Sequence, residues 1–146
     1  MGKKELKIKI REYDTEMWRE GMQNKTSLRW YRQGKENIGY ERCYSNNINS
    51  TYLAKARTNS LQLEDHLGRG VAGYDETCKL CKLEEEDLEH FLIKYPELEK
   101  KRNKEIMKNE QRMTAEERTI QIMFKEKHYG ETGKMIRSMW DTENIE

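Results

Sequence analysis

The sequence predicts a mainly α-helical fold, a small multi-helix domain with a zinc-knuckle-like turn or short hairpin near its middle. Three observations predict it. Apolar residues recur at spacings of three and four in several separate stretches, which is the period of one helix face. Glycine, asparagine and serine punctuate the breaks between them, and the chain's one proline, Pro96, falls at the end of such a stretch. Cys78 and Cys81 stand two residues apart with His90 downstream, two thiols and an imidazole spaced for a turn and the helix that follows it.

Taken in order, Leu6, Ile10, Tyr13, Met17 and Trp18 make one stripe on an amphipathic helix from about Lys3 to Gln23. Asn24 to Ser27 breaks it, and "SLRWYRQGK" starts a short second helix with Ser27 as N-cap and Gly34 near its end. "GYERCYSNNINS" reads as loop. Ser50 is the expected cap of a third helix through Leu53, Ala54 and Ala56 toward Leu61, ending before Gly68 and Gly70. The cysteine pair belongs on a tight turn or small hairpin. "EEEDLEHFLIKY" is expected to be helical, with its acids in the first turn and Leu88, Phe91 and Leu92 on one face, until Pro96 stops it. A helix from about Glu97 to Gln111 should follow. Thr114 with Glu117 reads as a capping box for another helix over Ile120, Ile122, Met123 and Phe124. Gly130 and Gly133 are expected to flank a last break before a short helix, "KMIRSMW".

Composition bounds the core. The hydrophobic share is 34%, below the roughly 45 to 50% usual for globular chains, while charged residues reach 38%. Small helical cores under a very polar surface are the expectation. No apolar run is long enough to cross a bilayer and the start has no signal-peptide pattern, so an intracellular place, nucleus or cytoplasm, is expected, with no membrane partner. Three cysteines, two of them paired as C-x-x-C, favour a metal over a disulfide framework.

Charge is segregated. Residues 1 to 35 carry ten basic side chains against five acids, residues 75 to 99 are acidic, and "KKRNKEIMKNEQR" is basic again. Each block is either a solvated helix face or a polyanion-binding surface. Aromatics interleave with arginines around residues 18 to 52, as stacking platforms with phosphate-binding neighbours do. Core packing is the better reading for Trp18. The candidate nucleic-acid contacts are Arg29, Trp30, Tyr31, Arg32, Lys35, Arg57, Lys100, Lys101 and Arg102.

Cys78, Cys81 and His90 are the candidate zinc ligands, with Lys79 and Lys82 expected to favour thiolates. On a helical wheel His90 lies off the Leu88, Phe91 and Leu92 stripe and can face the turn. The order "LAKARTNSLQLEDHLGRG", a spacer, then "CKLCKLEEEDLEHFLIKYPELEKKR" resembles the zinc-binding region C-terminal to the reverse transcriptase of non-LTR retrotransposons. "SLRWYRQGKENIGYERCYSN" and, more loosely, "GETGKMIRSMW" extend the likeness over most of the chain.

The resemblance implies that Cys78, Cys81 and His90 are ligands and that Tyr95 stands where that family has its fourth, a cysteine. A phenol ligates zinc poorly at neutral pH, so a weakened zinc site is expected unless water, Cys43, His66 or Glu97 completes it. It further implies a non-catalytic region that contacts RNA or DNA with little sequence preference beside the rest of a reverse transcriptase polyprotein. Polymerase chemistry lies upstream of the matched region in that family, so no catalytic residue is expected here. The alternative is a stand-alone, metal-free helical protein-interaction module. The chain divides into a basic helical region over 1–70, the Cys-Cys-His-Tyr segment over 71–102, and C-terminal helices over 103–146.

Overall fold

The computed structural model describes residues 2–25, 28–35, 47–79, 81–108, 112–124 and 128–144. It is mainly helical. In chain order come α1 (Lys3–Met22), α2 (Arg29–Gly34), α3 (Ile48–Arg57), α4 (Glu64–Leu67), a π-helical turn (His90–Lys94), a 3-10 helix (Pro96–Lys101), α5 (Lys104–Met107), α6 (Ala115–Phe124) and α7 (Tyr129–Glu143). The expected N-cap Ser27 and the loop around Cys43 lie outside the described residues.

α3 and α7 are the central pair. Leu53 and Ala56 of α3 join Met135, Ile136 and Met139 of α7 in a buried cluster. α7 runs unbroken through Gly130 and Gly133, where a break was expected. The reason is packing, since a Cβ on Gly133 would stand 2.4 Å from the backbone oxygen of Asn49. The glycine lets the N-terminal end of α3 approach the α7 backbone. The same cluster takes Trp30 and Leu63 from the first region, Cys78, Leu88, Phe91, Leu92, Tyr95 and Leu98 from the middle, and Ile106, Ile122 and Met123 from the last. All three sequence regions therefore share one core.

Caps explain several boundaries. Asn47, not Ser50, caps α3, its side chain accepting from the Asn49 N–H. α3 ends in a Schellman motif, with Asn59 at φ 53° and the Ser60 N–H donating to Lys55 O. Leu61 therefore falls outside the helix. Of the expected Glu97–Gln111 helix, residues 109–111 lie outside the described residues, and the rest is divided between the 3-10 helix and α5, because Asn103 accepts from the N–H groups of Glu105 and Ile106 and starts a new helix. The threonine half of the expected box before α6 is present, and Glu117 reaches back to the Thr114 hydroxyl. Glu117 N–H donates to Thr114 Oγ1, whose hydroxyl donates to Glu117 Oε1.

Arginines close the helix ends. Arg32 donates to the Met22 and Gln23 carbonyls at the end of α1. Arg57 Nε donates to Met123 O at the end of α6, 2.9 Å away, and Arg118 donates to Met107 O at the end of α5. A guidinium's forked donors suit these orphan carbonyls, and its charge suits the negative end of the helix dipole. By contrast α1 contributes only Met22 to the buried set, and its expected stripe divides: Leu6, Ile10, Tyr13 and Met17 are exposed, while Trp18 is half-buried against Tyr31 on another face.

Candidate metal centre and cationic surface

The cysteine pair sits on a small hairpin. Thr77 and Glu85 bridge antiparallel, Cys78 N–H donates to Glu84 O, and Glu86 N–H donates to Glu76 O. Lys82 N–H closes the turn on Cys78 O, and Lys82 adopts φ 59°, a left-handed conformation. The acids expected in a first helical turn are instead the return arm of this hairpin. Helical geometry starts only at Leu88, with the Asp87 side chain accepting from His90 N–H.

A π-helical turn then carries His90. Tyr95 N–H donates to His90 O, five residues back, and Tyr95 leaves the helix at φ −68°, ψ 109°, as a residue before proline does. The wider turn puts positions 90 and 95 one above the other. Their rings lie 5.6 Å apart, and Tyr95 is buried in the core. Arg102 fixes the segment, donating to the carbonyls of Leu92, Phe91 and Tyr95 and to the Glu99 carboxylate.

One ligand atom from each of Cys78, Cys81 and His90 lies within 4.8 Å of the others. Cys81 Sγ is 3.5 Å from His90 Nε2, and His90 Nδ1 is 3.1 Å from Glu84 Oε2. An ionised carboxylate only accepts, so Nδ1 carries a proton and Nε2 turns to the thiols. This is the arrangement in which a carboxylate orients a metal-binding imidazole. The backbone N–H groups of Leu83 and then Glu84 favour the Cys81 thiolate and lower its pKa from the ordinary thiol value. Lys79, expected to help the thiolates, instead pairs with Glu64, Nζ to Oε1 at 3.3 Å.

Cys78 also faces a second group. Its sulfur and carboxylate oxygens of Glu86 and Glu143 lie within 4.8 Å of one another. Burial, then the hydrogen bond to Glu86 and the charges of Glu86 and Glu64, raise the Glu143 pKa well above the carboxyl range. Of the groups expected to complete the site, His66 belongs to neither cluster, and Cys43 and the Glu97 side chain lie outside what is described.

The nucleic-acid candidates separate by burial. Arg57 is 0% exposed, with its guanidinium over the Phe124 and Tyr129 rings, Trp30 is 2% exposed, and Arg102 is buried on its carbonyl partners. These three are structural, a correction to their expected role as contacts. Their charge or aromatic surface is consumed inside the fold. Tyr31 is half-buried between Trp18 and Phe124. Arg29 is exposed and pairs with Glu116 at 3.5 Å, while Arg32 is exposed at the end of α1 and Lys35 lies over the Tyr31 ring. Lys100 and Lys101 are exposed. Lys101 lines a shallow groove with Lys134, Arg137, Asn49 and Asp141, whose carboxylate stands 3.9 Å from Arg137 Nε; three cations against one acid leave it net positive, and the sequence pointed only to Lys101 in it. Its signal was Lys134 and Arg137 three apart in "KMIRSMW". Glu84 was missed because it read as one of several helix-start acids.

No protein-family model, curated protein or solved structure matches the chain. Among the described residues no helix is long and apolar enough to cross a membrane.

Proposed function

We propose that the chain is a zinc-stabilised, non-catalytic module that contacts RNA or DNA, in keeping with its resemblance to the C-terminal region of non-LTR retrotransposon reverse transcriptases. The observation that carries the metal reading is the convergence of Cys78, Cys81 and His90 with Glu84 behind the imidazole. Two thiolates and an imidazole are a zinc donor set. A bound ion would crosslink the hairpin to the π-helical turn, joining folding to metal binding. Tyr95 leaves the fourth place to water or to a carboxylate, and Glu86 and Glu143 are the acids beside Cys78. The Lys101, Lys134 and Arg137 groove supports a phosphate-backbone contact.

A zinc competition titration tests the first half, and no zinc uptake by the chain would remove it. For the second, fluorescence anisotropy with a single-stranded oligonucleotide should show binding that weakens roughly twentyfold over a fourfold rise in salt, the dependence of about three phosphate contacts. Lys101→Glu with Lys134→Glu should abolish it. Binding unchanged by those reversals would remove the groove. The exposed stripe of α1 favours a second reading, a helical protein-interaction module, in which a partner binds with fixed stoichiometry and mild salt dependence.

A further inference from the structure

α1 turns one face to the domain and a different, more apolar face to solvent. Thr15 and Trp18 are half-buried and Met22 is buried, with Trp18 meeting Tyr31 edge-on at 6.2 Å. Leu6, Ile10, Tyr13 and Met17 are 51%, 51%, 63% and 49% exposed. At about 100° per residue the two sets fall on nearly opposite sides of the helix. Single exposed apolar residues are ordinary, but four in one line at coiled-coil spacing are a surface awaiting a partner.

The charges beside that line identify the partner. Leu6, Ile10, Tyr13 and Met17 occupy alternating d and a positions of a heptad, flanked by Lys7 and Lys9 in the first half and by Asp14 and Glu16 in the second. In a parallel pair of these helices Lys9 would meet the partner's Asp14, but Lys7 and Glu16 would face Gly2 and Gly21, so only two opposite-charge pairs would form. In an antiparallel pair Leu6 packs near the partner's Met17 and Ile10 near the partner's Tyr13. Lys7 then approaches the partner's Asp14 and Lys9 approaches the partner's Glu16, so each half meets its opposite charge. We infer that α1 is a self-docking helix, pairing antiparallel with α1 of a second copy of this chain. The pairing involves no metal ligand and no residue of the Lys101 groove.

Sedimentation equilibrium of the full chain over a range of concentrations tests it. The expected result is a reversible dimer that Ile10→Asp abolishes, with circular dichroism showing the domain still folded because Ile10 is exposed. Lys7→Glu alone and Asp14→Lys alone should each weaken the dimer about tenfold, two opposed pairs being changed by each substitution. Combined in one chain, they should restore it, since the exchanged charges still meet across an antiparallel pair. In a parallel pair the combined variant would instead set Lys9 against a new lysine at position 14. A parent chain monomeric at every concentration, a dimer indifferent to Ile10→Asp, or a combined variant weaker than either single one would overturn the inference.

Discussion

Glu84 holds His90: its Oε2 lies 3.1 Å from the ring Nδ1, and the ring's other nitrogen is the one that faces Cys81. Glu84→Ala leaves the three ligands and the backbone N–H groups of the hairpin in place but frees the imidazole to rotate. Zinc affinity should fall by about tenfold to a hundredfold, the usual cost of losing such a support. Competition titration reads it directly. Glu84 is exposed, so the melting temperature in chelator should stay near that of the parent.

Arg102 is a stability residue. Its guanidinium bonds three carbonyls around the π-helical turn, and Arg102→Ala should cost about 3 kcal/mol by stranding them. Arg102→Lys should recover less than half, because one ammonium cannot replace the fork. Urea unfolding measures both. Lys101→Ala, one residue away and exposed, should leave stability unchanged.

Gly133→Ala sets two effects against each other. Alanine is the better helix former by about 1 kcal/mol, yet its Cβ would meet backbone at 2.4 Å, which cannot yield as a flexible side chain can. Separating α3 from α7 should win, with net destabilisation of about 2 kcal/mol. A melting temperature equal to or above the parent's would show that the two helices are not held at that distance.

That glycine marks where the sequence was legible and where it was not. Helical character, the hairpin at Cys78 and Cys81, the Thr114 cap and the stop before Pro96 follow from local chemistry, and local chemistry is written in neighbouring residues. Gly133 was read as a breaker because its reason is Asn49, far away in the chain. The arginines failed likewise: Arg57 and Arg102 carry the same charge as Lys101, and only the fold shows that they terminate helices. His90 facing the cysteines could be read from spacing. Glu143 beside Cys78 could not, because α7 delivers it from the other end of the chain.

Asp65 gives a pH test. Burial, ahead of the neighbouring charges of Asp87 and Glu76, raises its pKa from 3.8 to about 6. The folded state therefore holds that proton more tightly than the unfolded state, and the contribution present below the unfolded pKa is lost as pH rises through about 6. Asp65→Asn cannot ionise. It should match the parent near pH 4 and exceed it near pH 7 by roughly 1 kcal/mol, allowing for solvent screening at a half-buried site. Urea unfolding at the two pH values checks the sign.

Tyr95→Cys separates the two jobs of position 95. The π-helical turn places residue 95 over His90, and Pro96 keeps its backbone extended, so a cysteine there is set to join Cys78, Cys81 and His90 in a closed tetrahedral set. Zinc affinity should rise by at least tenfold. Tyr95 is also 2% exposed, and removing its ring leaves a void in the core, which should lower stability without metal by about 2 to 4 kcal/mol. The variant should therefore melt below the parent in chelator and above it in zinc, because metal binding adds to folding free energy. Melting of both proteins with zinc and with chelator, beside a competition titration, measures the crossing. A variant below the parent in both conditions, with unchanged affinity, would mean that position 95 serves the core alone and that another group fills the fourth place.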